Sequence, residues 1–274
     1  EISKTECAHK IYAIDPLSVY VCLFSKTDKA CASESVSAIL NLEHQGLSFH
    51  KNALSAIALI ASSPSHSIIS SVSKKVFAII QKHISSPSID PALLYRSLWA
   101  FNSCLQGESL FAPKECESIV PIISKYILFN DNRIKSIVIT ILRNLSSLES
   151  VSTNLIPHLS ELFISKDILT YQIIEGISEI FAKVKEEKLN SMVSTLIEKG
   201  KSLSNKPDSE RNASNIALFV GSIVASRKTL REKVLKDFSN DISNKDVTKI
   251  NPFSLRCIGE IGIRFSLAED KSIL

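Results

Sequence analysis

Six histidines and six cysteines are the residues of this chain best suited to metal or nucleophilic chemistry, and their spacing arranges neither. His9, His44, His50, His66, His83 and His158 are scattered; His44 and His50 stand six apart across a glycine, a spacing that fixes no coordination geometry. They read as isolated surface histidines. Cys7, Cys22, Cys31, Cys104, Cys116 and Cys257 contain no C-x-x-C pair and read as reduced thiols of an intracellular protein, several of them on apolar helix faces. There is no G-x-S-x-G elbow, no Walker A loop and no H-E-x-x-H motif. Gly259-Glu260-Ile261-Gly262 follows no strand, so it is not a dinucleotide loop. The sequence therefore predicts a protein that is not an enzyme, with no catalytic, cofactor-binding or metal-ligating residue and no cofactor.

The remaining chemistry is recognition by charge and by aromatic rings. Basic residues cluster at Lys74-Lys75, from Lys183 to Lys188, and from Arg227 to Lys236, where Glu232 is interleaved; such runs are usually solvated helix faces. Arg133, Lys135, Arg143, Arg211, Arg256 and Arg264 differ, because they fall on helices expected to line one continuous face. These six are the candidate partner-facing residues, suited to an acidic or mixed protein surface. Trp99, with apolar neighbours, is expected to pack between repeats. Serine makes up about one residue in six. Ser62-Ser63-Pro64 and Ser85-Ser86-Pro87 could accept phosphate, but helix capping at turns is the simpler account.

The elements that position these residues repeat. An apolar residue stands at Leu54, Leu98, Val138, Ile174, Ala217 and Leu255. Three residues on stand Ile57, Phe101, Ile141, Ile177, Val220 and Ile258, and three further Ile60, Cys104, Asn144, Ile180, Ile223 and Ile261. Leu145 can replace Asn144 in that column. The copies are 44, 40, 36, 43 and 38 residues apart, a period that reads as HEAT or armadillo-type helical repeats. The predicted fold is all-α, an α-solenoid of about six stacked helix pairs: 33–62, 67–106, 114–147, 151–184, 186–226 and 229–266. A partial repeat over 1–32 precedes them, and 267–274 begins another. All of 1–274 is read as one solenoid whose inner helices line a concave surface.

Within this frame, Asp15-Pro16 reads as a helix start and 25–32 as a loop. Residues 67–84 form one outer helix, and Asp90-Pro91 starts an inner helix in the cap-then-proline manner. In the last inner helix Leu255, Ile258, Ile261 and Phe265 form one stripe. Gly259 and Gly262 beside it, each costing about 1 kcal/mol against alanine, suggest a helix packed tightly on both sides.

Hydrophobic residues make up 45% and aromatic residues 7%, which suits helix-on-helix packing by Ile, Leu, Val and Ala. A formal charge of +4 with a pI near 8.7 is too mild to predict nucleic acid as a partner. No apolar run approaches the roughly 18 residues of a membrane span, and no signal peptide is evident. The absent initiator methionine suggests a piece of a longer protein. A monomeric solenoid of cytoplasm and nucleus is expected.

Arg256 to Leu274 (R-C-I-G-E-I-G-I-R-F-S-L-A-E-D-K-S-I-L) resembles the L-x-x-L-G-E-[IV]-G-x-x-x-x-L-S segment of the cullin-associated NEDD8-dissociated (TBP-interacting) proteins. Asn215 to Ala225, Glu232 to Asp241 and Ala53 to Pro64 are similar to segments of the same family at matching spacing. Phe265-Ser266 departs from its pattern. The resemblance implies a central to late-central fragment of a scaffold. Such a scaffold binds unmodified cullin–RING ubiquitin ligases, blocks their modification by NEDD8 and exchanges their substrate receptors. A nuclear transport receptor of the same repeat type is the alternative, though its basic cargo fits poorly with basic inner helices.

Overall fold

The computed structural model describes residues 7–42, 46–88, 90–106, 109–165, 169–243 and 250–267, with side chains from residue 12 onward. The fold is all-α, of the helical-repeat type the period predicts, and no strand occurs among the described residues. The chain divides into two compact units: Glu1–Tyr126 with Arg133–Asn144, and Ile127–Asn132 with Leu145–Leu274.

The first unit opens with α1 (Cys7–Phe24), α2 (Lys29–Leu42) and α3 (Leu47–Ala61), followed by α4 (His66–Ser70), α5 (Ser73–Ile84) and α6 (Pro91–Cys104), then α7 (Pro113–Lys125) and α8 (Asn132–Asn144). The inner helices of successive repeats lie side by side, α1 against α3 and α3 against α6. Helices α6 and α7 begin where a carboxylate satisfies a leading N–H group. Asp90 Oδ2 accepts from the Leu93 N–H at 2.9 Å while Pro91 occupies the first turn. At α7, Glu115 reaches back to the Ala112 N–H at 2.8 Å. Leu54, Ile57 and Ile60 of α3, Leu98, Phe101 and Cys104 of α6, and Val138 and Ile141 of α8 are buried, as the column predicts. Asn144 is exposed and Leu145 buried, so the replacement in that column holds. The centre of this core is aromatic: the Phe101 and Phe111 rings stack at 5.4 Å, and Phe77 meets Phe111 edge-on at 5.2 Å.

The second unit contains α9 (Glu149–Ile164), α10 (Tyr171–Phe181), α11 (Glu186–Ser204), α12 (Glu210–Ala225), α13 (Lys228–Ile242) and α14 (Pro252–Arg264). Here α12 is central, against α10 on one side and α14 on the other, with α11 behind it. Thr170 and Asn251 cap α10 and α14 through Oγ1 and Oδ1. Phe219 lies between Phe163 and Phe181, and Phe238 meets Phe253 edge-on.

Several sequence expectations are corrected. Helix α1 runs through Pro16 without restarting, and α2 begins at Lys29 within the expected loop. The outer helix over 67–84 is two helices, broken at Ser71-Val72. In α14 the stripe is turned: Phe253, Ser254, Cys257 and Ile261 are buried, whereas Leu255 is 51% exposed and Ile258 only half-buried. Gly259 has open space where a Cβ would stand, and Gly262 meets only the Leu267 side chain. The glycines that allow close approach are elsewhere. A Cβ on Gly200 would lie 2.1 Å from the Phe253 ring, and one on Gly221 2.4 Å from the Glu260 Cβ. The start of a further repeat at 268–274 falls outside the described residues.

Serine does sit at helix ends, but at the C-caps: Ser62 closes α3, Ser85 α5 and Ser226 α12. No serine caps a helix N-terminus among the described residues. The hydroxyls donate to carbonyls three or four residues back, within helices as Ser97 does to Leu93 at 2.8 Å and at helix ends as Ser62 does to Ala58 at 2.8 Å, Ser204 to Lys201 at 3.0 Å and Ser226 to Ile223 at 3.0 Å.

Candidate partner-binding surface

The six basic residues singled out by sequence meet different fates. Lys135 is fully buried, which removes it from any accessible surface. Arg133 and Arg143 of α8 and Arg211 of α12 are exposed. Arg256 and Arg264 are committed within the second unit. Arg256 Nη1 donates to the Glu210 carbonyl at 3.3 Å and to Ser214 Oγ at 3.0 Å, while its Nη2 pairs with the Glu210 carboxylate. Arg264 joins Glu260 on its own helix at 2.9 Å and reaches back past α12 to Glu175 and Tyr171 of α10. Ser222 of α12 donates to the same Glu175 carboxylate at 3.0 Å.

That network sets the ionisation of Glu175. Partial burial pushes the Glu175 carboxyl up, but the hydrogen bonds from Arg264, Ser222 and Tyr171 outweigh it and hold it below the usual carboxylate range. These arginines are thus seams between neighbouring helices, each with its counter-ion in place, and they offer a partner little unspent charge.

The first unit carries the same seam in altered form. Arg96 of α6 donates from Nη1 to the Lys51 carbonyl at 3.3 Å and to Ser55 Oγ at 2.5 Å. This is the pattern of Arg256 on Glu210 and Ser214, but Lys51 stands where Glu210 would supply the carboxylate. Lys51 turns instead to Asp90, 2.9 Å away. The Asp90 carboxyl is held low first by Lys51 and then by the Leu93 N–H. Around Arg96 opens a cavity of about 550 Å³, lined also by Asp90, Tyr95, Trp99 and Arg133. Tyr95 and Trp99 are one helical turn apart on α6, the first exposed and the second half-buried. Trp99 therefore lines an open cavity where the sequence reading placed it between repeats.

Neither a protein-family model nor a curated protein matches the chain. Solved structures do. A crystal structure of an engineered protein from the Northeast Structural Genomics Consortium is similar over 82% of this chain and 98% of its own, at 15% identity and a TM-score of 0.52. A second engineered protein from the same consortium covers 92% of this chain and 70% of its own, at 17% identity and a TM-score of 0.49. The likeness is one of fold alone.

Other chemistry is sparse. No group of three or more His, Cys, Asp or Glu side chains among the described residues is placed to hold a metal ion. No helix among them is long and apolar enough to cross a membrane. The histidines are less isolated than their spacing predicts: the rings of His50 on α3 and His83 on α5 lie 4.8 Å apart, and His83 is buried. Sequence reasoning missed Arg96, Lys51 and Ser55. The signal was available in the repeat itself, since Ser55 to Arg96 spans 41 residues and Ser214 to Arg256 spans 42, but only the contacts identify the pair as equivalent.

Proposed function

We propose that this chain is a non-catalytic protein-interaction scaffold that presents inner-helix side chains to a protein partner. The observation that carries this reading is the open cavity on α6, where a tryptophan, a tyrosine and arginines converge. Those are the residue types that dominate binding energy in protein interfaces. The partner suggested by the resemblance of Arg256 to Leu274 is an unmodified cullin–RING ubiquitin ligase, within which the scaffold would oppose NEDD8 modification and favour receptor exchange. Such a role belongs inside the cell, in cytoplasm and nucleus.

The test is direct binding of the chain, as a monomer, to a purified cullin–RING complex in its unmodified and NEDD8-modified forms. Selective binding of the unmodified form, weakened by substitution at the Tyr95–Trp99 cavity, is the expected result. Equal binding of both forms, or of neither, removes the cullin assignment. A general scaffold or a transport receptor then takes its place.

A further inference from the structure

The seam between neighbouring inner helices is built twice from one pattern, and the two copies differ in charge. In the second unit the arginine lies against a serine hydroxyl, a carbonyl of the preceding helix and the carboxylate of Glu210. In the first unit Arg96 has the serine and the carbonyl but no carboxylate, because Lys51 occupies that place. The one carboxylate on the cavity wall, Asp90, is already engaged by Lys51 and by the N-terminus of α6. Both bonds of Arg96 use Nη1, so Nε and Nη2 have no protein partner among the described residues. A half-buried guanidinium without a counter-ion binds an anion well, since its desolvation is already partly spent and its fork matches a carboxylate.

The walls distinguish the two copies further. Counting from each arginine, Tyr95 corresponds to Leu255 and Trp99 to Gly259. Beside Arg256 the surface is therefore an exposed leucine and a glycine with open space around it. Beside Arg96 it is two aromatic rings bordering a cavity of about 550 Å³, with Arg133 contributing a second cation to the wall.

We propose that the α3–α6 cavity binds an acidic peptide segment of a partner protein, placing a carboxylate on Arg96 and the adjoining side chains against Tyr95 and Trp99. This deepens the scaffold reading by naming the chemistry of the segment taken, and it does not require the partner to be a cullin. Rings and guanidinium together favour a peptide, which offers both carboxylate and apolar contact, over a bare phosphate.

Trp99 is the only tryptophan in the chain, so its emission reports on this cavity alone. The whole chain is titrated with a short capped peptide of glutamate and alanine, with the lysine–alanine counterpart, with inorganic phosphate and with a single-stranded oligonucleotide. The expected result is a saturable change in Trp99 emission with the acidic peptide, weakened by salt and weakened roughly tenfold by Arg96→Ala, the loss of one charge-assisted contact. Because Arg96→Ala also loosens the α3–α6 seam, a second variant restores the missing counter-ion instead. Lys51→Glu with Asp90→Asn keeps a capping side chain on α6 and is expected to abolish the response. Lys74→Ala, a charge loss of the same size at an exposed position of α5, is expected to leave it intact.

An equal response to the lysine peptide, or none to the acidic one, overturns the proposal. So does phosphate or the oligonucleotide saturating the signal at lower concentration. Cullin–RING binding is measured on the same variants. Retained cullin binding without a peptide response removes this site and leaves the scaffold reading, whereas a peptide response without cullin binding supports the site and removes the cullin reading.

Discussion

Two glycines in the second unit should respond to alanine with opposite signs. Gly200 lies within α11, and a Cβ there would stand 2.1, 2.3 and 2.6 Å from three carbons of the Phe253 ring. The ring must retreat by more than an ångström to reach ordinary contact. Phe253 is fully buried against Phe238, so the retreat displaces neighbours in turn. Overpacking of this kind costs about 1–3 kcal/mol, offset by about 1 kcal/mol gained in helix propensity. Gly259 within α14 has nothing within 4 Å of its would-be Cβ and gains the propensity alone. Gly200→Ala should therefore destabilise the unit by up to about 2 kcal/mol and Gly259→Ala stabilise it by about 1 kcal/mol. Amide hydrogen exchange of α11 and α14 reads this directly, since each 1.4 kcal/mol is about tenfold in the opening equilibrium. Exchange should quicken in the first variant and slow in the second. A Gly200→Ala protein as protected as Gly259→Ala would show that α14 does not seat its Phe253 against α11, and the packing argument would fail.

Three further expectations concern charge, capping and thiols. The Glu175 carboxyl is depressed in the folded state, so its network stabilises the second unit above the unfolded carboxylate range near pH 4.3 and that stabilisation disappears as pH falls through the lower folded value; Glu175→Gln should flatten the acid limb of a stability–pH profile. Arg227 donates from Nη2 to the Phe181, Ala182 and Val184 carbonyls at the end of α10, and Arg227→Ala should cost about 1.5–3 kcal/mol, read as a lower urea midpoint. Burial raises the Cys104 thiol to about 12 and pushes the Cys116 and Cys257 thiols up as well, whereas Cys31 is exposed. Among the five described thiols, labelling followed by mass spectrometry should mark Cys31 first, then the half-exposed Cys22, and Cys104, Cys116 and Cys257 only after unfolding.

The repeat was legible because burial imposes a period that no other constraint disturbs. Leu54, Leu98, Val138, Ile174 and Ala217 are all buried where the column puts them. The column failed at α14, where apolar residues cover two adjoining stripes, Leu255-Ile258 and Phe253-Cys257. Only the helices it packs against decide which stripe turns inward. The helix start at Pro91 was readable from the Asp before proline, yet the same signal at Asp15-Pro16 lies inside a continuous helix. A proline forbids a backbone hydrogen bond without saying whether the chain tolerates its loss. The candidate surface was least legible. A list of arginines cannot tell Arg256, which holds its own counter-ion, from Arg96, whose neighbour is a lysine. That difference depends on which residues lie opposite across a gap of about one repeat.

Most side-chain bonds that cross between helices span a single repeat, as Tyr126 to Ile84 and Asn251 to Lys201 do. Arg264 is different: it bridges 89 residues to Glu175 and 93 to Tyr171, skipping the helix between. A stack whose members touch only adjacent neighbours frays from an end one step at a time, like a zipper. A clip that grips the second neighbour breaks that rule, because α14 cannot peel away without releasing charge at α10. Opening of α14 should therefore be coupled to α12 and α10, and the clip ties these three helices of the second unit into a single cooperative segment.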